Sequence, residues 1–292
     1  MLIYMNAHGA NAVLDTMGGE LVGYNRNGVE YVWQGDPAYW PGHAPVLFPI
    51  VGALKNGTIA IEGKAYSMPK HGIARKSEFE ITDQTEDSIT FTLQASGESL
   101  QMYPFRFRLM VTHRLMKNGF QTTYTVVNED GRDMPFCIGG HPGFNCPMHE
   151  GEGFEDYELL FDETECIPGL FTDAETLMHP NNTVELIQEG KCIPLRYSDF
   201  DQDAVILSGL RSKGVRLVHA KSGKGLHFTF DGFGALGIWT PPKKQAPFIC
   251  LEPWAGLPAY TDETGLFLDK PYVMISQPGA AKSFHYAMSI VD

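Results

Sequence analysis

The sequence predicts an all-β protein, an antiparallel sheet system large enough to fold over on itself as a sandwich or a barrel. Three observations carry this. Apolar and polar residues alternate with a period of two at Ile59 and Ile61, at Ile89, Phe91 and Leu93, at Phe105, Phe107, Leu109 and Val111, and at Leu226, Phe228 and Phe230, which is the pattern of half-buried strands. Asn27-Gly28 and Asn118-Gly119 accept the positive φ angles of a tight type I′ turn, so each reads as a hairpin turn between antiparallel neighbours, and Glu62-Gly63 supplies a turn after Ile61. Helical periodicity is absent over any window longer than about ten residues. The 31 glycines and 19 prolines interrupt most candidate helices, which excludes an alternating βαβ architecture.

A chain of 292 residues that is 43% apolar can bury a full core. No low-complexity linker, repeat or charge run divides it, and β-sandwiches often exceed about 200 residues as one unit, so a single domain over residues 1–292 is expected. Its 35 acidic residues against 22 basic ones give a net charge of −13. With no stripe of Lys and Arg to follow phosphates, nucleic acid and anionic membrane surfaces are excluded as partners. The N-terminal residues lack a basic segment followed by an apolar one, and no apolar run approaches ~18 residues; a soluble, cytoplasmic protein is expected. Five cysteines without a C-x-x-C pair read as reduced thiols. Cys137 and Cys146 flank His141, where a nucleophile is conceivable, but a small buried core thiol is the plainer reading.

Residues 36–50, 137–156 and 239–262 gather Pro, Gly, Trp and isolated ionisable groups, and the functional site is expected there. Gly232 to Gly237 spell G-x-G-x-x-G after a strand, but Ile238-Trp239-Thr240-Pro241-Pro242 follows, and no helix can open there to meet a pyrophosphate. Serine-hydrolase, P-loop and zincin motifs are absent. His141 follows two glycines and precedes a proline, so it is expected in a loop held by special backbone; the alternative is a histidine satisfied by a loop carbonyl. Glu252 lies between the apolar Phe248-Ile249-Cys250-Leu251 and Pro253-Trp254. Desolvation there raises a carboxylate pKa toward neutrality, where a general base works best; an ordinary strand-end carboxylate is the alternative. Lys70-His71-Gly72-Ile73-Ala74-Arg75 is a compact basic turn in an acidic protein, and the Arg75 fork suits a hydroxyl pair or a phosphate. Trp239, Trp254, Trp33 and Trp40 offer an aromatic wall for a sugar ring. The remaining histidines read as structural or exposed.

Five segments in this order, F-P-I-V-G-A-L-K-N-G at 48–57, K-H-G-I-A-R at 70–75, G-G-H-P-G-F-N at 139–145, G-I-W-T-P-P at 237–242 and E-P-W-A-G at 252–256, resemble the aldose 1-epimerase (galactose mutarotase-like) superfamily. The resemblance spans most of the chain. It implies an antiparallel β-supersandwich, no cofactor and no metal, and cleft chemistry by one His and one Glu. His141 would be the acid, Glu252 the base, and His71 and Arg75 would contact substrate; Asp203 matches an acidic substrate contact late in the chain. Galactose mutarotases carry G-R-x-x-N-R and Leu-His-Gly-Gly, where this chain has Gly52-Ala53-Leu54-Lys55-Asn56-Gly57 and His71-Gly72-Ile73-Ala74-Arg75. The H-G-x-A-R form is similar to glucose-6-phosphate 1-epimerases, which makes Arg75 and Lys55 candidate phosphate contacts.

Interconverting α and β anomers requires taking the proton from the C1 hydroxyl and giving one to the ring oxygen, so that the C1–O5 bond opens and C1–C2 rotates. An acid and a base on opposite sides of the ring, each with a pKa near the working pH, suffice. The expected substrate is a monosaccharide or its phosphate. A non-catalytic sugar sensor on the same fold is the alternative. A glycosidase needs two carboxylates about 5–10 Å apart, and only Glu252 is well placed.

Overall fold

In the computed structural model, which describes every residue of 1–292 except 174 and 189, 49% of the chain is strand and 7% helical. A single α-helix among the described residues, Ser99–Met102, spans four residues. Two large sheets dominate. The first has nine strands in the order Cys192–Pro194, Tyr157–Phe161, Gly214–His219, Gly225–Thr229, Ala281–Val291, Gly119–Asn128, Phe107–Met116, Ser88–Gln94 and Glu80–Gln84. The second has eight, with the path Met178–Val184, Gly169–Thr172, Val205–Ser208, Ala235–Trp239, Phe248–Ala255, Ile138–Gly140 and Val46–Leu47, and Gly143–Asn145 also paired to Phe248–Ala255. Their ladders are antiparallel.

The inner faces meet through aromatic side chains. Phe144 of the second sheet packs on Phe228 of the first with centroids 5.5 Å apart, and Phe48 packs on Phe107 at 4.9 Å. The alternation read from sequence is the inward face of these strands: Ile89, Phe91, Phe107, Leu109, Val111, Leu226 and Phe228 are all buried. Phe105 is buried as well but precedes its strand, which begins at Phe107.

Turn chemistry agrees at two hairpins and differs at a third. Asn27 and Gly28, with φ of 54° and 83°, close the hairpin whose last pair is Arg26 and Val29, and Glu62 and Gly63 do the same between Ile61 and Lys64. The third hairpin closes between Met116 and Gly119, so Lys117 and Asn118 form its tip and Gly119 belongs to the strand. Gly119 has φ of 152°, and a Cβ there would lie 1.8 Å from the Met288 carbonyl oxygen. Close approach of the neighbouring strand, rather than a type I′ turn, demands this glycine.

The apolar run Phe248-Ile249-Cys250-Leu251 is a strand that continues through Pro253 and Trp254, whereas the expectation of a loop around His141 is corrected. Phe248–Ala255 is an eight-residue strand buried at every position. Ile138–Gly140 and Gly143–Asn145 are short strands along its edge: Gly139 lies opposite Trp254, and Gly143 opposite Cys250. The register is the same on both sides of the gap, which places His141 opposite Glu252. Pro142 causes the gap because it has no N–H for the ladder, although Leu251 N–H still donates to the Pro142 carbonyl at 3.1 Å. The two glycines before His141 serve packing. A Cβ on Gly139 would lie 2.6 Å from the Trp254 ring, and one on Gly140 would lie 2.7 Å from Tyr286.

Candidate active site

Period two divides the strand Phe248–Ala255 into two faces. Ile249 and Leu251 point into the main core, whereas Phe248 and Cys250 join Trp33 and Ala246 in a smaller apolar cluster flanked by Tyr39, Trp40 and Trp239. Glu252 continues that second face. Residues opposite one another in an antiparallel pair have Cβ atoms about 4.5–5.5 Å apart, so register alone brings the two ionisable groups together. His141 Nε2 lies 3.2 Å from Glu252 Oε2. The expectation of an acid and a base on opposite sides of a ring is thus corrected: both stand on one wall and touch.

Aromatic and imidazole rings box in His141. Trp40 stacks on it at 4.8 Å and 24°, while His71 and Trp239 meet it edge-on, each at 5.6 Å. Its backbone N–H donates to the Pro45 carbonyl at 3.1 Å. The loop carrying Trp40 and Pro45 is tied down by Glu20, whose Oε1 accepts from the backbone N–H groups of His43 at 2.9 Å and Ala44 at 2.7 Å. Burial pushes the Glu20 carboxyl up to about 7.

His71 has φ of 66° and is followed by Gly72 at 74°, the left-handed pair that makes the basic turn. A Cβ on Gly72 would sit 2.2 Å from the Phe48 carbonyl oxygen, so no other residue fits in the H-G motif. Gly52 N–H donates to His71 Nδ1 at 3.1 Å. With Nδ1 an acceptor, the proton of the neutral ring is on Nε2. Burial, reinforced by the positive charges near it, holds His71 well below the usual imidazole range.

Asp203 is likewise a non-glycine residue at positive φ, 123°. Its Oδ1 accepts the Trp239 indole N–H at 2.7 Å, and its Oδ2 accepts from Thr172 Oγ1 at 3.4 Å. Burial drives both members of the central pair toward their neutral forms: His141 is pulled down to about 3, helped by the charges of Lys70 and Arg75, and Glu252 is pushed well above the carboxylate range, opposed by Lys70. His141 Nδ1, Glu252 Oε2 and Arg75 Nε are buried without a hydrogen-bond partner; the contact between the imidazole and the carboxyl is close but not aligned as a hydrogen bond.

Eight of the residues singled out from sequence, Trp40, His71, Arg75, His141, Asp203, Trp239, Glu252 and Trp254, line one pocket of about 250 Å³. Two expectations need correction. Lys55 is not part of the lining: the tight turn at Asn56, φ 55°, carries it away, and its Nζ donates to the Glu263 carbonyl at 3.3 Å. Trp33 lies behind the wall, stacked on Phe248 at 4.4 Å. Lys70, an exposed residue at the pocket, belongs to the basic turn but carries no sequence signal of its own as a substrate contact, and Thr172 and Glu20 carry none at all. The donor atoms of His141, Cys250 and Glu252 also lie within 4.8 Å of one another and are the one group among the described residues that could hold a metal ion.

Two large antiparallel sheets, with a His and a Glu facing each other across one buried register at an aromatic pocket, make a β-sandwich of the galactose mutarotase-like class. Residues 1–274 match the aldose 1-epimerase family, and the chain belongs to it. Protein LacX of Lactococcus lactis subsp. lactis, in its plasmid form, is 38% identical over 286 residues, with 95% of each chain covered. A galactose mutarotase related enzyme from Lactobacillus acidophilus superposes with a TM-score of 0.93 at 31% identity, covering 100% of this chain and 98% of that one. A galactose mutarotase-like protein from Lactobacillus casei gives a TM-score of 0.92 at 29% identity and full coverage of both chains. A carbohydrate epimerase on a galactose mutarotase-like β-sandwich is therefore established at the level of the family. No helix among the described residues is long and apolar enough to cross a membrane.

Proposed function

We propose that the protein is a mutarotase that interconverts the α and β anomers of an aldose or a hexose phosphate, with His141 as acid and Glu252 as base. The observation that carries the reading is the 3.2 Å approach of His141 Nε2 to Glu252 Oε2 at an aromatic-walled pocket. In a pyranose the C1 hydroxyl and the ring oxygen are attached to the same carbon. An acid and a base that serve both must therefore be neighbours. In the ion-paired form Glu252 takes the C1 hydroxyl proton while His141 gives its Nε2 proton to the ring oxygen; the C1–O5 bond breaks and the open aldehyde forms. Rotation about C1–C2 presents the other carbonyl face, and the reverse transfers close the ring. The two groups share one proton throughout, so the cycle consumes none.

The remaining pocket residues have roles on this reading. Trp40, Trp239 and Trp254 give apolar faces to the ring, and the Nε2–H of His71 and the carboxylate of Asp203 bond hydroxyls. Lys70 and Arg75 supply positive charge at the pocket, which supports a phosphorylated sugar of the kind suggested by the H-G-x-A-R turn. The test is polarimetry on freshly dissolved pure anomers, free and phosphorylated. Acceleration of the optical-rotation change is expected for at least one of them. Binding without acceleration for any would make the protein a sugar sensor.

A further inference from the structure

We propose that His141, Cys250 and Glu252 form a three-ligand site for a thiophilic divalent cation, zinc or cadmium, and that its occupancy switches the sugar chemistry off. Cys250 and Glu252 are two residues apart on one buried strand and leave it on the same face, while His141 stands opposite Glu252 in the adjacent strand. An imidazole nitrogen, a thiol sulfur and a carboxylate oxygen from these side chains all lie within 4.8 Å of one another. Tetrahedral zinc takes bonds of about 2.0–2.2 Å to nitrogen and oxygen and about 2.3 Å to sulfur, which sets ligand separations of about 3.3–3.6 Å. His141 Nε2 and Glu252 Oε2, at 3.2 Å, are already close to that spacing, and the sulfur, within 4.8 Å of both, has to close by about 1.5 Å at most.

The donor set suits the ion. Imidazole, thiolate and carboxylate are all zinc ligands, and three protein donors with an open fourth position are the arrangement of accessible zinc sites. The Glu252 Oε2 lone pairs are unclaimed by any protein donor, in a residue only 2% exposed. As the metal binds, two protons pass to the buffer, that of the Cys250 thiol and the one held by the Glu252–His141 pair; thiolate and carboxylate then cancel the charge of the dication among apolar neighbours. One feature limits affinity: His141 Nδ1 has no partner, whereas firmly held metals orient the imidazole through its second nitrogen. The site is thus a reversible one, filled when the free metal concentration rises. A bound cation occupies the lone pairs that the proton transfers need, so it competes with the sugar. Only this effect on rate rests on His141 and Glu252 being the acid and base; the binding itself does not.

Cadmium is the probe, because a cadmium–thiolate bond absorbs in the ultraviolet where the free ion does not. Cys166, which is exposed, and Cys192 are first changed to serine so that they do not contribute. One band per chain is expected on titration. It should vanish in Cys250→Ala and in the nearly isosteric Cys250→Ser, and the affinity should fall at least about tenfold in His141→Asn and in Glu252→Gln. Zinc or cadmium should also inhibit anomer exchange, reversibly with a chelator, whereas the Cys250 variants should keep the basal rate and require at least tenfold more metal. No band in the parent protein, a band that survives Cys250→Ala, or equal affinity in both His141→Asn and Glu252→Gln would overturn the site. These absorption results stand whether or not the parent protein exchanges anomers.

Discussion

His141 and Glu252 face each other across a single antiparallel register, opposite ends of a 3.2 Å contact that is closed on both sides by buried strand. Burial pulls His141 down to about 3 and pushes Glu252 up, so both members of the pair favour their neutral forms. The neutral imidazole persists until the pH falls through that depressed value. Turnover should therefore stay level from about pH 7 to about pH 5, across the span where a free imidazole with a pKa of about 6.5 would titrate. Rate against pH at saturating sugar measures this. A half-fall centred near the free-imidazole value would show that His141 acts alone and solvated.

Much of this was legible in sequence, because alternation, Asn27-Gly28 and Glu62-Gly63 act locally, and the ionisable residues most isolated among Pro, Gly and Trp proved to share a pocket. What was not legible is non-local. Pro142 disguises a strand edge as a loop, since its missing N–H breaks the ladder without changing the register. The role of Gly139 and Gly140 depends on Trp254 and Tyr286, more than a hundred residues away in sequence, and Gly119 is required by Met288 of another strand. Lys55 looked like a pocket residue because nothing local reveals which way the turn at Asn56 sends it.

Asp203 holds its contacts to Trp239 and Thr172 from a backbone angle that disfavours a Cβ, a conformation that costs on the order of 1–3 kcal/mol. Asp203→Gly should relieve that cost while removing the carboxylate. The variant should melt at the same temperature or higher and bind sugar at least about tenfold more weakly. Calorimetric melting and sugar titration are the checks; unchanged sugar affinity would remove Asp203 from the site.

Arg75 has a buried Nε without a partner and shares the pocket with Lys70. If these cations hold a phosphate, a hexose phosphate should bind better than the free hexose. Arg75→Ala should then erase a preference of more than about 1.5 kcal/mol, or roughly tenfold. Equal affinity of the unmodified protein for both sugars would assign Arg75 to ring hydroxyls.

His113 tests the same electrostatics away from the pocket. Its Nε2–H donates to the Gly19 carbonyl at 2.8 Å, its Nδ1 accepts from Thr122 Oγ1 at 3.0 Å, and burial pulls it down to about 4. A pKa depressed on folding favours the neutral form, so its contribution is complete above the unfolded value of about 6.5 and is lost as the pH falls toward 4, about 3 kcal/mol in all. Denaturant unfolding at about pH 7 and about pH 4 should show a smaller acid loss in His113→Gln than in the parent protein. Equal losses would mean that His113 protonates without penalty.

Whether His141 and Glu252 move the protons as one unit is decided by the exchange rate of pure anomers in Glu252→Gln, His141→Asn and the double variant. Each single change should slow exchange by about 10²–10⁴-fold while leaving sugar affinity within a few fold, and the double variant should be little slower than the slower single one. Near-normal exchange by Glu252→Gln, or multiplicative losses in the double variant, would mean that the two groups do not work as a pair.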